Sequence, residues 1–231
     1  MHISIRTGSA VLAALAMSFG GCKSSNRHEQ AGIPADAKVE EVRSVAPDAK
    51  VHIAAGDFAV NQGNRVEAIR QYEKALQLDP TGKMALYKMA TLYTYDGQFD
   101  LAVATWQKYV DATNQSAGAY VNLGRANELA GKWKAAEVAY LRAINRESMN
   151  RAARVNYGIL LAKRDRLDEA ETQLGKVLRP EEVQYNLGSV HELRRDFAAA
   201  SAAYTRALEI DGNFTPARQR LSMLKSVTAA Q

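Results

Sequence analysis

Small and apolar residues recur along this chain at a spacing of 34 residues. One series is Gly56, Ala90, Gly124 and Gly158, and a second is Ala68, Ala102, Ala136 and Ala170. Each period holds two runs with the 3.6-residue spacing of an amphipathic helix, separated by a short break such as Gly131-Lys132. The pattern therefore predicts pairs of short helices. We expect the small residues, Gly124 and Ala136 among them, to let helix backbones approach closely.

Five copies of this unit are predicted, because one helix pair cannot bury its apolar stripe alone. The copies cover residues 49–82, 83–116, 117–150, 151–180 and 181–214, and the fourth is four residues short. Residues 215–228 continue the phase with a polar outer face, and are predicted to be a helix that caps the array. Residues 229–231 are left as a tail.

The 34-residue helix-turn-helix period resembles that of the tetratricopeptide repeat family. The segment from Tyr72 to Pro80 matches the end of such a repeat, and Tyr204 to Asp211 nearly duplicates it. The resemblance extends over residues 49–228. It implies an all-α, right-handed superhelical solenoid of five helix-turn-helix repeats plus a C-terminal capping helix.

The N-terminus carries an apolar run at residues 10–19, followed by Gly20, Gly21 and Cys22. The run is too short to span a bilayer and is typical of a signal peptide, which we assign to residues 1–21. Small residues before a cysteine resemble the bacterial lipoprotein signal, which implies lipidation at Cys22 and a place in the cell envelope, with the outer membrane or periplasmic side favoured. An ordinary secretory signal, giving a soluble periplasmic or secreted protein, and no export at all stay open.

Residues 22–48 are polar and are interrupted by Gly32, Pro34 and Pro47. We predict a disordered tether, in which Asp36 to Val45 is the only stretch with the pattern of a brief helix.

Charge and composition point away from catalysis and from nucleic acid. The net charge of +5 is spread over all the predicted helices, so it gives no basic patch. The sequence lacks a nucleophile motif, a phosphate-binding glycine loop and metal-ligand spacing, and His191-Glu192 lacks the second histidine of a zinc-protease motif. We therefore predict no enzyme activity, no cofactor and no metal, and an exposed His191. The large aromatic residues are expected in the core: Phe99, Trp106, Trp133 and Phe197.

The resemblance places a partner-binding groove along the first helix of each copy. The side chains expected to project there are Tyr87, Thr91 and Tyr95, then Val121, Asn122 and Arg125, then Val155, Asn156 and Ile159, and finally Tyr185, Asn186 and Ser189. The three asparagines share one repeat position and resemble the asparagine ladder in the repeat arm of O-GlcNAc transferases, which implies contacts with a peptide backbone. Asparagine is also frequent at this position without a binding role, so both interpretations stay open.

These features together predict a non-catalytic scaffold that binds a protein or an extended peptide segment and is held at the membrane through Cys22. The layout resembles the repeat lipoproteins of pilus and secretion systems, those of the tight-adherence pilus among them, which implies a role in assembly. The alternative is an adaptor that regulates, or presents substrates to, a separate glycosyltransferase or peptidoglycan enzyme. Nucleic-acid binding is disfavoured, and no oligomeric state is predicted.

Overall fold

A computed structural model describes residues 48–228, with side chains through residue 224. The predicted signal peptide 1–21, the lipidation site Cys22, the tether as far as residue 47 and the tail 229–231 lie outside the described residues. Among residues 48–228, no helix is both long enough and apolar enough to cross a membrane.

Helices account for all the regular structure in the described part of the chain. They are α1 (Ala49–Asn61), α2 (Arg65–Leu78), α3 (Lys83–Tyr95), α4 (Phe99–Ala112), α5 (Ala117–Leu129), α6 (Trp133–Arg146), α7 (Arg151–Lys163), α8 (Leu167–Gly175), α9 (Pro180–Leu193), α10 (Phe197–Ile210) and α11 (Thr215–Thr228). The most extensive contacts join consecutive helices, and α5–α7 and α7–α9 contacts connect neighbouring copies. The predicted fold class, an all-α solenoid of five helix pairs with a terminal helix, is confirmed.

The turn inside each pair depends on one residue with left-handed backbone conformation. This residue is glycine in the first three copies, where Gly63, Gly97 and Gly131 have φ angles of 73°, 73° and 72°. In the last two copies it is Asp165 and Arg195, with φ angles of 65° and 61°. Glycine adopts this conformation without steric cost, whereas other residues are strained there. The pair geometry is thus maintained even where the sequence lacks the glycine signal.

Three glycines of the first helices admit tyrosine rings from the second helices. A Cβ atom added at any of these glycines would lie 2.4–2.6 Å from a ring carbon. The pairs are Gly56 with Tyr72, Gly124 with Tyr140, and Gly188 with Tyr204. The three rings are almost fully buried, with 0–1% of each residue exposed. At Gly124 the nearest neighbours of an added Cβ are atoms of the Tyr140 ring, so this glycine makes room for a side chain. The expected close approach of the two backbones there stays a prediction.

The fourth copy is shortened in its second helix, which is five residues shorter than its counterparts in copies three and five. Helix α8 has 9 residues, compared with 14 in α6 and α10. Leu174 takes the place of the tyrosine and lies against Gly158, where an added Cβ would be 2.7 Å from its Cγ. Helix α9 starts at Pro180, one residue before the predicted copy boundary, because proline is favourable at the first helical position.

The aromatic core is only partly as expected. Trp106 is buried with 6% exposed, whereas 39% of Trp133 is exposed. Trp133 is the first residue of α6. Phe99 and Phe197, the first residues of α4 and α10, are half-buried.

Candidate functional site

A cavity of about 460 Å³ opens between α1 and α3, the first helices of copies one and two. Tyr87 and Thr91, both predicted groove residues, line it together with Asp57, Lys88 and Leu92. Tyr72, Val60 and Asn61 complete the lining. The cavity therefore joins an apolar wall to one partly exposed ion pair, Asp57 with Lys88.

The polar part of the cavity is a linked tyrosine, carboxylate and ammonium group. The Tyr72 hydroxyl donates to Asp57 Oδ1 at 2.7 Å, and Lys88 Nζ lies 2.9 Å from the same oxygen. Burial alone would raise the pKa of Asp57, but the hydrogen bonds from Lys88 and Tyr72 outweigh it and hold that pKa below its usual value. Burial, with Asp57 adding to it, raises the pKa of Tyr72. The carboxylate is thus charged and the phenol neutral at neutral pH.

The same linkage recurs in the other odd-numbered copies. In copy three, Tyr140 donates to Glu128 at 3.0 Å, and Lys163 of the next copy lies 2.6 Å from that carboxylate. In copy five, Tyr204 donates to Glu192 at 2.8 Å, and the partner cation is Arg220 of α11, at 2.7 Å. Each linkage ties the two helices of one copy to the first helix of the next.

Sequence reasoning missed these linkages, although a signal for them is present. In each odd copy a tyrosine follows a helix-buried glycine by sixteen residues, and in two of them a glutamate follows that glycine by four. In copies three and five the signal identifies which carboxylate meets which phenol, but in copy one it does not, because Asp57 follows Gly56 by one residue. The signal does not identify the cation, because that depends on how one copy is rotated against the next.

Aromatic rings give the cavity its apolar wall. Tyr87 contacts Trp106 edge-on with 5.3 Å between ring centroids, and lies 5.7 Å from Tyr109. Nearby on the same helix, 75% of Tyr95 is exposed, and the guanidinium of Arg65 lies 5.1 Å from its ring centroid. An aromatic ring that is fixed on one side and open on the other is the kind of residue that anchors an interface.

The predicted asparagine row is not uniform. The amide of Asn186 donates to the carbonyl oxygen of Glu182 in its own helix at 2.7 Å. Asn122 and Asn156 are half-buried and make no hydrogen bond to other described residues. Two of the three amides therefore have free hydrogen-bonding capacity.

The other predicted groove residues differ in how accessible they are. Arg125 is exposed and has no ion pair among the described residues, whereas Val121 is buried with 9% exposed. Val155 and Ile159 are half-buried and pack against the core of copies three to five. The structure thus brings Tyr87 and Thr91 into one cavity and distributes the rest along successive first helices.

Three more of the predicted groove residues, Thr91, Ser189 and Tyr185, already contact other parts of the protein. Thr91 and Ser189 donate to carbonyl oxygens one turn earlier in their own helices, at 2.8 and 3.0 Å. Tyr185 is half-buried between Tyr204 and Phe214, with ring centroids 5.6 and 5.7 Å away. Contacts within the protein hold these three side chains in place, and a partner could still contact their remaining exposed surface.

His191 is largely buried, whereas the sequence predicted an exposed side chain. Only 16% of its side chain is accessible, and Nδ1 is buried without a hydrogen bond, 3.9 Å from Asp196 Oδ2. Across residues 48–228 no three histidine, cysteine or acidic residues are grouped closely enough to hold a metal ion.

Family models described as tetratricopeptide repeat match most of the helical region. The matched residues are 49–81, 87–150, 130–181 and 181–214. Together these ranges cover well over half of the 231 residues.

Curated relatives match this chain over less than half its length. It is 31% identical over 108 residues to the tetratricopeptide repeat and J domain-containing co-chaperone DNJ1 of Fusarium oxysporum, covering 47% of this chain and 19% of that protein. It is 32% identical over 98 residues to the photosystem I assembly protein Ycf3 of Synechococcus sp. strain WH7803, covering 41% of this chain and 57% of that protein. The chain thus spans about a fifth of one relative and a little over half of the other.

Solved structures share the fold over most of the chain. A crystal structure of MamA superposes with a TM-score of 0.56 at 26% identity, covering 70% of this chain and 90% of the other. A tetratricopeptide repeat protein from Parabacteroides merdae gives a TM-score of 0.61 at 13% identity, covering 78% of this chain and 73% of the other. The second likeness is evidence for the fold alone.

Proposed function

The chain belongs to the tetratricopeptide repeat family, whose members act in protein–protein interaction, and we propose that it is a non-catalytic scaffold that binds an extended segment of a partner protein. The observation that carries the proposal is the α1–α3 cavity, where Tyr87 is fixed by Trp106 and open on its other side. Asp57 and Lys88 neutralise each other across the cavity, so the site favours a segment with apolar or aromatic side chains.

The first helices of later copies extend this surface. Asn122 and Asn156 retain free amide groups that can pair with the backbone of an extended peptide, and Arg125 can bind a carboxylate or a carbonyl oxygen. An anchor at Tyr87 and backbone contacts farther along give binding that depends on few partner side chains.

Site-specific photo-cross-linking in the source cells tests this proposal. A photoreactive phenylalanine analogue at Thr91 should cross-link to a discrete partner, because Thr91 lines the cavity. The matched control is the same analogue at Val66, which is 81% exposed on α2 and lies outside the cavity. Equal cross-linking from both positions, or from neither, would contradict the proposed site.

We also propose that the protein is exported and anchored by a lipid at Cys22, with its repeats on the periplasmic side of the outer membrane. Support comes from the sequence: an apolar run, small residues and a cysteine in the order of a lipoprotein signal. Labelling cells with an alkyne fatty acid should mark the wild-type chain and not a Cys22→Ser variant. A Cys22→Ser variant that is still processed and membrane-bound would disprove the lipid anchor.

Within this setting we propose a role in building an envelope assembly such as a pilus or a secretion system. The relatives named as photosystem I assembly proteins support assembly as the kind of task. The partner recovered by cross-linking decides between this role and the alternative, an adaptor of a glycosyltransferase or peptidoglycan enzyme. A structural subunit supports assembly, and an enzyme whose rate changes with the scaffold supports the alternative.

A further inference from the structure

A second groove lies between the second helices of copies two and three. Helices α4 and α6 both pack on α5, and a cavity of about 450 Å³ opens between them. Its floor is one face of α5, on which Tyr120, Leu123 and Asn127 follow each other at helical spacing. The α4–α6 groove shares no lining residue with the α1–α3 cavity, so it is a separate surface.

The middle of the α4–α6 groove is apolar. Val103 of α4 is half-buried on one side, and Val138 and Ala139 of α6 lie on the other. Half of Val138 is exposed, so it is accessible from the groove. The amide of Asn127 on the floor already donates to the carbonyl oxygen of Leu123 at 2.9 Å. This part of the groove therefore favours an apolar side chain.

Cations of α6 line the same groove, although the sequence predicted no basic patch. Lys134 and Arg142 are lining residues, and neither makes a hydrogen bond or an ion pair with other described residues. An adjoining cavity of about 350 Å³ continues the groove, since Tyr120 and Arg142 line both. Arg146 lines this continuation and donates to Gln115 at 2.8 Å.

The positive charge of the groove is not balanced by acidic residues. Among the described residues, no carboxylate lines either cavity. Asp111 of α4 accepts a hydrogen bond from the lining residue Gln107 at 3.3 Å, but it does not line the groove itself. An anionic ligand therefore meets attraction and little repulsion there.

The repeat pattern does not impose this row of cations. On α6 the row is Lys134, Val138, Arg142 and Arg146, each four residues after the last. The other second helices of the same length carry different residues at these positions: Val66, Arg70, Lys74 and Leu78 in copy one, Asp100, Ala104, Lys108 and Ala112 in copy two, and Ala198, Ala202, Arg206 and Ile210 in copy five. None of these rows holds three cations. The charge is a property of copy three.

We propose that the α4–α6 groove binds a second extended partner segment, in which an apolar side chain lies between carboxylates. Successive residues of the α6 row are about 6 Å apart along the helix. Alternate residues of an extended peptide are about 6.6 Å apart and point to the same side. Acidic, apolar and acidic side chains at alternate positions therefore fit Lys134, Val138 and Arg142, and a further acidic side chain reaches Arg146.

The groove is better suited to a peptide than to nucleic acid. Aliphatic side chains surround its middle, whereas single-stranded nucleic acid is bound by open aromatic rings on which the bases stack. The Tyr120 ring does not offer such a face, because only 4% of the residue is exposed and the guanidinium of Arg142 lies 5.8 Å from the ring centroid. The inference goes beyond the proposed function and does not depend on the α1–α3 cavity.

Fluorescence anisotropy of a labelled peptide with the full chain tests the groove. The probes are Gly-Glu-Ser-Leu-Ser-Glu-Ser-Glu-Gly and its reversed sequence, because the two chain directions present the same alternation. At least one should bind, and serine in place of its leucine should weaken binding roughly tenfold, because the apolar contact is lost. Arg142→Glu should also weaken binding roughly tenfold, because it places a carboxylate opposite those of the peptide.

The matched control is Arg206→Glu, at the same repeat position in α10. Arg206 is exposed and lines neither cavity, so the affinity should stay within about twofold of wild type. Lys134→Glu, at an exposed side chain, should weaken binding like Arg142→Glu, and it tests the groove even where Arg142→Glu does not fold. Unchanged circular dichroism verifies that a variant is folded.

Each of the following results would overturn the proposal. If neither peptide binds, or the serine peptide binds as tightly, the groove does not take an apolar side chain between carboxylates. If Arg206→Glu weakens binding as much as Arg142→Glu, the peptide responds to the net charge of the protein and not to the groove. A single-stranded thymidine oligonucleotide that binds more tightly than the peptides, and loses affinity in Arg142→Glu, would identify a nucleic-acid site instead.

Discussion

Three of the glycines are required at their positions because a tyrosine ring occupies the place of their side chain. At Gly124 an added Cβ would lie 2.5 Å from Tyr140 Cε1, and the ring is fully buried and held by its hydroxyl on Glu128. The ring cannot turn aside without breaking that hydrogen bond. The glycine and the tyrosine therefore act as one packing unit.

Replacing Gly124 by alanine should lower the free energy of unfolding by about 1–3 kcal/mol, because the methyl group overpacks the Tyr140 ring. Gly118 is the matched control in the same helix, since an added Cβ there meets nothing within 4 Å. Gly118→Ala should be neutral or stabilise by up to about 1 kcal/mol. Urea unfolding of both variants checks the difference. Equal effects would show that the Tyr140 ring moves aside to accommodate the methyl group.

The strained turn of copy five offers a stabilising change. Arg195 has a φ of 61° where the first three copies have glycine, and it makes no ion pair among the described residues. Arg195→Gly should raise the melting temperature by about 2–4 °C, since it removes roughly 1 kcal/mol of strain. Arg164→Gly should do the opposite, because Arg164 has a φ of −96° and no strain to release. A lower melting temperature for Arg195→Gly would refute the argument.

Most of the fold follows from the sequence because helix periodicity, turn residues and copy length all act locally. The 34-residue spacing and the short fourth copy predict where α1 to α11 lie, and α8 is short as its missing residues require. Burial at the helix ends is less predictable. Trp133 stands in an apolar position of the repeat, at the first residue of α6, and 39% of it is exposed.

The candidate site could be predicted only in part. Tyr87 and Thr91, which the family resemblance places on the groove side of the first helix, line the cavity, and their role in binding stays a prediction. Asp57 and Lys88 were missed because they come from different copies, and no local pattern sets the distance between them. The remaining groove residues stay a prediction that binding experiments must test.

At the scale of helices, the buried tyrosine hydroxyls make the stability of the fold decrease as the pH rises through the alkaline range. Burial and Glu137 raise the pKa of Tyr157 to about 12, and those of Tyr72, Tyr140 and Tyr204 are raised in the same sense. A tyrosine whose pKa is higher in the folded than in the unfolded state contributes its full stabilisation of the fold at any pH below the unfolded pKa of about 10. That contribution is lost as the pH rises from about 10 towards the folded value.

Melting temperatures measured between about pH 8 and pH 11.5 should therefore fall above pH 10. Tyr157→Phe should be slightly less stable at pH 8, because it loses the hydrogen bond to Glu137. Its decline above pH 10 should be shallower, since one titrating phenol is gone. Tyr95→Phe, at an exposed ring, should follow the wild-type curve. An unchanged alkaline slope in Tyr157→Phe would contradict the assignment.

At the scale of the whole molecule, the pattern of contacts predicts that unfolding is local at the ends and shared in the middle. Each copy packs mainly on its neighbours, so stability is close to a sum of copy and interface contributions. Copy five has a neighbour at α8 and then only the single helix α11, whereas copy three is flanked by complete pairs. The same disruptive substitution should therefore destabilise different sets of helices when it is placed in copy five and when it is placed in copy three.

Replacing Gly188 or Gly124 by valine disrupts one copy, because a Cβ atom added at either glycine would lie 2.5–2.6 Å from a carbon of the neighbouring tyrosine ring. Gly188→Val should speed amide exchange in α9 to α11 by roughly tenfold or more and leave α3 to α6 within about twofold of wild type. Gly124→Val should speed exchange on both sides, from α3 to α8, because both adjoining interfaces lose their support. Hydrogen exchange read by mass spectrometry distinguishes the two patterns. Equal acceleration of all helices by both variants would mean that the copies unfold as one cooperative unit, which packing mainly between neighbours does not produce.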